Sequence, residues 1–171
     1  FFDFYRKKMI HPTAKPNAAH QKLAQLEAKG KLKAIITQNI DGLHAPAQEV
    51  LELHGSVHRN HCVRCGRAYA LADILASEGV PRCSCGGIIK PDVVLYEEPL
   101  DEAVLDRAVC HIQQADLLLI GGTSLNVYPA AGLIRFFQGR DLVIINREPT
   151  PADRRASLVI QGSIGEIFAA L

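Results

Sequence analysis

The chain has 171 residues, of which 48 % are apolar and 22 % are charged, which is typical of a globular protein with one substantial core. Its 19 basic and 18 acidic residues leave a formal charge of +1 and no broad field to attract phosphates, so we expect no nucleic acid as a partner. No apolar run reaches the roughly 20 residues of a membrane-spanning helix, so we expect no membrane association and a cytoplasmic location.

The first part of the chain predicts a helix followed by a strand. Apolar residues recur at helical spacing between Pro16 and Gly30, with Asn17 as the N-cap and Gly30 as the stop signal. The β-branched run over residues 32–37 is too short for a helix and predicts a buried strand.

The same alternation resumes after residue 100. Residues 101–115 predict a helix, and the continuous apolar run over residues 116–120 predicts a buried strand. Pro129 is expected to open a further helix that stops at Gly139.

The last part of the chain completes the pattern. Residues 142–145 and 158–160 predict two more strands, and Ser163 and Glu166 have the spacing of a capping box for a final helix. Strands that are apolar on both faces and alternate with helices predict an α/β fold. We therefore expect a Rossmann-like parallel sheet with helices on both faces.

Residues 57–90 interrupt this pattern. They are rich in Gly, Pro, Cys and Arg, and only residues 71–78 have helical spacing. We predict a small zinc-binding module over residues 57–90, inserted into a Rossmann-like domain formed by residues 1–56 and 91–171.

Two cysteine pairs in this module predict a metal site. Cys62 and Cys65 are separated by 17 residues from Cys83 and Cys85, which is close to the spacing of a four-thiolate zinc ribbon. Four thiolates fill a tetrahedral shell, so the zinc is expected to be structural. The alternative is four ordinary reduced cysteines, which the single residue between Cys83 and Cys85 favours. Cys110, in a predicted helix, is expected to be a small core residue.

Polar residues follow three predicted strands, at the sheet edge where open α/β folds bind ligands. The alternative is that those after the first strand only form a turn. The residues are Gln38, Asn39 and Asp41 after the first strand, Gly121, Thr123 and Ser124 after the second, and Asn146 after the third.

His54 lies in Leu-Glu-Leu-His-Gly, just past another apolar stretch. A histidine there can act as a general base near neutral pH. The alternative for a lone histidine is a structural side chain, and the order of the surrounding motifs favours the first interpretation.

The ordered set of motifs resembles the sirtuin family, and the runs are most similar to those of bacterial members. The resemblance covers nearly the whole chain and implies a large Rossmann-like domain, a small zinc domain, and NAD and an acyl-lysine peptide bound between them. The motifs are Thr37-Gln38-Asn39-Ile40-Asp41-Gly42-Leu43-His44, Glu52-Leu53-His54-Gly55-Ser56, the cysteine pairs, Lys90-Pro91-Asp92-Val93-Val94, and Gly121-Gly122-Thr123-Ser124-Leu125.

This resemblance implies an NAD-dependent protein-lysine deacetylase or deacylase that consumes NAD as a co-substrate. The acyl amide oxygen attacks C1′ of the nicotinamide ribose, nicotinamide leaves, and an alkylimidate forms on the way to O-acyl-ADP-ribose and deacylated lysine. His54 is then the general base that acts on the ribose hydroxyls, and Asn39 and Asp41 are the other expected catalytic residues.

The resemblance also assigns binding residues. Those expected to contact NAD are Gln38, Asn39, Asp41, Gly121, Thr123, Ser124, Asn146, Ser163 and Ile164. Those expected to bind the acyl-lysine peptide, partly as an added strand, are Val93, Val94, Tyr96, Asn126 and Val127.

Two departures from the family pattern are visible. The family's Gly-Ala-Gly-x-Ser loop, which cradles the pyrophosphate, normally precedes the residues seen here, so a polypeptide that begins at Phe1 is expected to bind NAD weakly and to turn over slowly. Tyr96-Glu97-Glu98 stands where many members have Phe-Gly-Glu, which adds charge near the peptide channel.

Two other functions compete with the deacylase. One is a non-catalytic module that binds NAD or ADP-ribose, or an inactive fragment of the enzyme, which would not need His54. The other is a nucleic-acid or protein adaptor built on the cysteine module. The module's basic residues are too few for strong phosphate binding and are expected to form a solvated face: Arg59, Arg64, Arg67 and Arg82.

Overall fold

The computed structural model describes all residues, Phe1–Leu171, and divides the chain into two compact units. None of its helices combines the length and the apolar composition needed to cross a membrane. The first unit contains the predicted zinc module and further segments around it, so the predicted boundaries at residues 57 and 90 remain a prediction. The first unit consists of Phe1–Lys15, Thr37–Leu43 and Glu52–Leu100, and the second of Pro16–Ile36, His44–Leu51 and Asp101–Leu171.

A three-stranded antiparallel sheet forms the centre of the first unit, with β3 between β4 and β5. A short helix, α3 (Leu71–Ala76), follows β4, two residues shorter than predicted. The strands are β3 (Gly55–Cys62), β4 (Ala68–Tyr69) and β5 (Ile89–Val93).

The N-terminal segment packs into the core of this unit. It forms α1 (Phe2–Phe4), which continues as a π-helix over Tyr5–Met9. The Tyr5 side chain is fully buried, and this burial raises the pKa of its hydroxyl to about 12. Arg6 donates hydrogen bonds to the carbonyls of Ile74 and Gly79, at 3.0 and 2.7 Å, and thereby ties the segment to α3 and the turn after it.

The second unit contains a three-stranded parallel sheet in the order β6, β7, β8. Successive side chains of β7 point to opposite faces, so Ile145 packs in one apolar cluster, and Leu142 and Ile144 pack in another. The strands are β6 (Leu117–Gly121), β7 (Asp141–Asn146) and β8 (Leu158–Gln161).

Helical segments cover both faces of this sheet. Ala19 of α2 (Ala18–Ala28) and Phe168 of α5 (Ile164–Ala169) pack against Ile145 on one face. A 3-10 helix over Ala130–Phe136 lies on the other face. The predicted α/β fold is confirmed. The long helix α4 (Glu102–Gln114) also forms as predicted, with the Asp101 side chain as its cap.

The first predicted strand is shorter than expected and belongs to a different sheet. β1 (Ile35–Thr37) pairs with β2 (Val50–Glu52), a strand that the sequence did not predict, in a separate two-stranded sheet. Leu32 lies outside β1, and its N–H donates to the Leu26 carbonyl near the end of α2, as part of the helix C-cap.

Two predicted helix features were wrong. The segment after Pro129 is a 3-10 helix that ends at Phe136. The Gly132 N–H donates to the carbonyl three residues earlier, that of Pro129, which is the 3-10 pattern, and glycine disfavours a regular α-helix. Ser163 is the N-cap of α5 but forms no side-chain capping bond, and its side chain instead lines a pocket described below.

Gly55 begins β3 at a position where only glycine fits. Its φ is +76°, and a Cβ there would collide with the carbonyl oxygen of Asp92 on β5. The close approach allows Gly55 to pair with Val93 directly beside His54. The position of His54 therefore depends on the absence of a side chain at residue 55.

We expect Gly55→Ala to lower the free energy of unfolding by about 1–2 kcal/mol for the left-handed backbone and by roughly a further 1–3 kcal/mol for the collision. Gly79→Ala is the matched control in the same unit, because Gly79 has φ +58° and no atom within 4 Å of an added Cβ. Urea denaturation followed by circular dichroism measures both losses. Equal losses in the two variants would contradict the crowding at residue 55.

Candidate active site

The His54 ring has a defined orientation and a defined tautomer. Its Nδ1 lies 2.9 Å from the Gln38 carbonyl oxygen. Because a carbonyl oxygen can only accept a hydrogen bond, Nδ1 carries a proton, and in the neutral ring the lone pair is on Nε2. The Val94 N–H donates to the His54 carbonyl at 3.0 Å and fixes the backbone. The half-buried imidazole can therefore act as a base through Nε2.

The loop after β1 places Gln38, Asn39 and Asp41 in the same unit as His54. The Asp41 carboxylate accepts the Leu43 N–H at 3.0 Å, and the Asp41 carbonyl accepts from Nε2 of His58 at 3.1 Å. The turn predicted as the alternative is thus present. It leaves Asn39 exposed and Asp41 half-exposed, so both side chains can reach a ligand.

β5 is an edge strand of its sheet, and the residues predicted to bind peptide continue from its end. Val93 is buried in β5, Val94 is half-buried, and the Tyr96 side chain is fully exposed. Glu97 adopts φ +70°, which is unusual for a residue with a side chain. The neighbouring Glu98 carboxylate accepts hydrogen bonds from the Leu95 N–H and from Lys90 Nζ. Both bonds lower the pKa of Glu98, and the bond from the Leu95 N–H has the larger effect.

The second unit contains a pocket of about 610 Å³ at the carboxyl ends of β6, β7 and β8. Gly122, next to Gly121, lines it, whereas Val127 is exposed outside it. The predicted residues that the structure brings together here are Thr123, Ser124, Asn126, Asn146, Ser163 and Ile164.

Local hydrogen bonds shape the wall of this pocket. The Asn146 side chain donates to the Glu148 carbonyl at 2.8 Å, and the Gln161 side chain donates to the Arg147 carbonyl at 3.1 Å. Asn17 also lines the pocket, although the sequence marked it only as a helix cap, a role that it does fulfil by accepting the His20 N–H. No sequence signal links residue 17 to a strand end more than 100 positions away.

The four predicted cysteines form one cluster in the first unit. Their sulfur atoms all lie within 4.8 Å of one another, with Cys62 and Cys85 3.5 Å apart and Cys65 and Cys83 3.6 Å apart. A tetrahedral zinc with bonds of about 2.3 Å requires sulfur atoms roughly 3.8 Å apart. The residues therefore fit a structural Zn²⁺, which would close the module by joining the two pairs.

The surroundings favour the thiolate at one of these cysteines. The Cys85 backbone N–H and then the Tyr69 hydroxyl donate to Cys83 and lower the pKa of its thiol to about 5. A thiolate is the form that binds zinc. Cys110 lies outside the cluster, is exposed, and accepts a bond from Gln114, so the prediction that it is a core residue was wrong.

The Sir2 family model matches residues 1–129, which is most of the chain. The chain belongs to the Sir2 family. Among curated relatives of this Sir2 chain, the NAD-dependent protein deacetylase of Cutibacterium acnes is 60 % identical over 173 residues, covering 100 % of this chain and 71 % of that protein. The protein of the same name from Clostridium acetobutylicum is 57 % identical over 172 residues, covering 98 % of this chain and 70 % of that protein.

Solved structures of Sir2 proteins superpose closely on this chain. Sir2 with a p53 peptide and NAD⁺ superposes with a TM-score of 0.90 at 40 % identity, covering 99 % of this chain and 75 % of that one. Sir2Tm bound to a propionylated peptide gives a TM-score of 0.92 at 40 % identity, covering 99 % and 76 %.

We expect the purified protein to contain about one zinc per chain and Cys65→Ser to lose most of it, because three sulfur atoms leave the tetrahedral shell incomplete. Cys110→Ser is the matched control and should keep its zinc, since Cys110 is outside the cluster. Metal analysis by mass spectrometry measures both. Full zinc content in Cys65→Ser would overturn the assignment.

Proposed function

We infer that this chain is an NAD-dependent protein-lysine deacylase, which releases nicotinamide and transfers the acyl group to ADP-ribose. Its membership of the Sir2 family and its relatives named NAD-dependent protein deacetylase support this function. The observation that carries the chemistry is the bond from His54 Nδ1 to the Gln38 carbonyl, because it places the lone pair of the neutral ring on Nε2, where it can accept a proton.

The reaction we propose balances as acyl-lysine, NAD⁺ and water giving lysine, nicotinamide and O-acyl-ADP-ribose. The acyl amide oxygen forms a bond to C1′ of the ribose while the bond from C1′ to nicotinamide breaks. His54 Nε2 accepts the proton of a ribose hydroxyl, whose oxygen attacks the acyl carbon. The bond from that carbon to the lysine nitrogen then breaks, lysine leaves as the protonated amine, and water adds to the acyl carbon to give O-acyl-ADP-ribose. Asn39 and Asp41 orient the ribose and the nicotinamide, and the Leu43 N–H holds one oxygen of Asp41.

Binding of the ADP part of NAD is assigned to the pocket of the second unit. Its volume of about 610 Å³ lies within the range of small-molecule sites. Thr123 and Ser124 supply hydroxyls and backbone N–H groups for phosphate oxygens, and Asn146 supplies an amide for the ribose. Ser163 and Ile164, at the start of α5, are proposed to contact the adenosine end.

The acyl-lysine peptide is proposed to add as a strand beside Val93 and Val94, because β5 is an edge strand of its sheet. Tyr96, Asn126 and Val127 are proposed as further peptide contacts, and all three side chains are exposed. Main-chain hydrogen bonds would then supply most of the affinity, so the enzyme can accept different sequences around the acylated lysine.

A cytoplasmic location is proposed for the same chain. Four cysteines arranged for a metal rather than paired in disulfides are typical of a reducing compartment. The deacylase reaction itself places no constraint on the compartment beyond the presence of NAD and acylated proteins.

We expect His54→Ala to lower nicotinamide release from NAD and an acetyl-lysine peptide by about 10²–10⁴-fold, because the base is removed. His54→Asn should be equally slow, although its amide can still donate to the Gln38 carbonyl and keep the loop in place. The control is His11→Ala, since His11 is exposed and its side chain forms no hydrogen bond.

NAD affinity, measured by isothermal titration, separates the deacylase from a non-catalytic NAD-binding module. If the protein is a deacylase, the variants at residue 54 should still bind NAD but should not release nicotinamide from it. NAD binding with no nicotinamide release from the unaltered protein would favour the binding module.

A further inference from the structure

Three arginine side chains converge on the second cysteine pair. Each belongs to the short chain segments that carry the metal ligands: Arg64 lies between the first two cysteines, Arg67 follows them, and Arg82 precedes Cys83. The sequence predicted that these residues form a solvated face. They are exposed, but each guanidinium group forms a hydrogen bond within the module.

The bonds go to consecutive residues of one turn. Arg64 donates to the Cys85 carbonyl at 2.8 Å, and Arg82 donates to the Gly86 carbonyl at 3.2 Å. Arg67 donates to the Ser84 hydroxyl at 2.8 Å. No backbone N–H donates to the Cys85 or Gly86 carbonyl, so the arginines are their protein partners.

The turn that they hold is unusually tight. Only one residue separates Cys83 from Cys85, and the Cys83 N–H closes the turn onto the Gly87 carbonyl at 2.8 Å. A Cβ on Gly87 would lie 2.6 Å from the Cys62 sulfur and 2.7 Å from Cβ of Arg64. The second pair is thus pressed against the first, and Arg64 spans both.

Charge adds to this geometry. Four thiolates around Zn²⁺ carry a net charge of about −2, and three guanidinium groups in the same small module offset it. Groups that bond the backbone of metal ligands orient those ligands, and their loss typically lowers metal affinity about 10–100-fold.

We propose that Arg64, Arg67 and Arg82, which we name the arginine clamp, control how tightly the module retains zinc. Arg64 is the principal member, because it lies between the two cysteines of the first pair and bonds the backbone carbonyl of a cysteine of the second. The clamp positions the ligands and does not take part in deacylation, so this proposal is independent of the NAD chemistry.

The test is the rate of zinc release from the purified full chain into excess 4-(2-pyridylazo)resorcinol, followed by the absorbance of the zinc complex that this chelating indicator forms. We expect Arg64→Gln to release zinc about tenfold faster or more, and Arg82→Gln to release it faster by a smaller factor. Arg64→Lys keeps the charge and should recover part of the retention.

The matched control is Arg59→Gln. Arg59 lies on β3 of the same unit and forms two ion pairs, with Glu52 at 2.7 Å and Asp92 at 3.0 Å, but no bond to the cysteine turn. If zinc release only followed the general stability of the unit, Arg59→Gln would accelerate it as much as Arg64→Gln. That result, or an unchanged rate in Arg64→Gln, overturns the proposal.

If Arg64→Gln did not fold, Arg82→Gln would still test the proposal. It removes one exposed side chain at the edge of the turn, and its zinc release is measured on its own. Release at the unaltered rate in Arg82→Gln contradicts the clamp.

Discussion

The approach of Gly55 to the Asp92 carbonyl is the contact on which the catalytic part of the molecule depends. With no side chain at this residue, β3 and β5 pair beside His54, and the Val94 N–H reaches the His54 carbonyl. The backbone of the base is thereby fixed, and the Gln38 carbonyl selects its tautomer. This steric constraint thus sets the position of the proposed base, and it places the proposed peptide-binding strand next to it.

The pocket of the second unit forms because of the parallel arrangement of the strands. In a parallel sheet every strand ends at the same edge, so short polar sequences far apart in the chain come together there. Thr123, Asn146 and Ser163 share the pocket for this reason. The apolar faces of β7, covered on both sides, supply the rigidity that holds these ends in place.

The sequence predicted elements whose signals are local. The Asn17 cap, the helical spacing of α4, the apolar runs of β6 to β8 and the cysteine pairs all carry their information within a few residues. It did not predict β2, because a three-residue strand has no pattern of its own, nor the 3-10 geometry after Pro129. The arginine clamp was also missed, since four scattered basic residues resemble any solvated surface until the fold brings three of them to one turn.

A sirtuin deacylase consumes NAD and moves the acyl group to ADP-ribose. Mass spectrometry of the early products formed by the purified protein from NAD and a peptide with a ¹³C-acetyl-lysine distinguishes this reaction from simple hydrolysis. We expect the label in O-acetyl-ADP-ribose, with one nicotinamide released for each lysine freed. Label recovered as free acetate, with NAD intact, would show that the acyl group does not move to ADP-ribose.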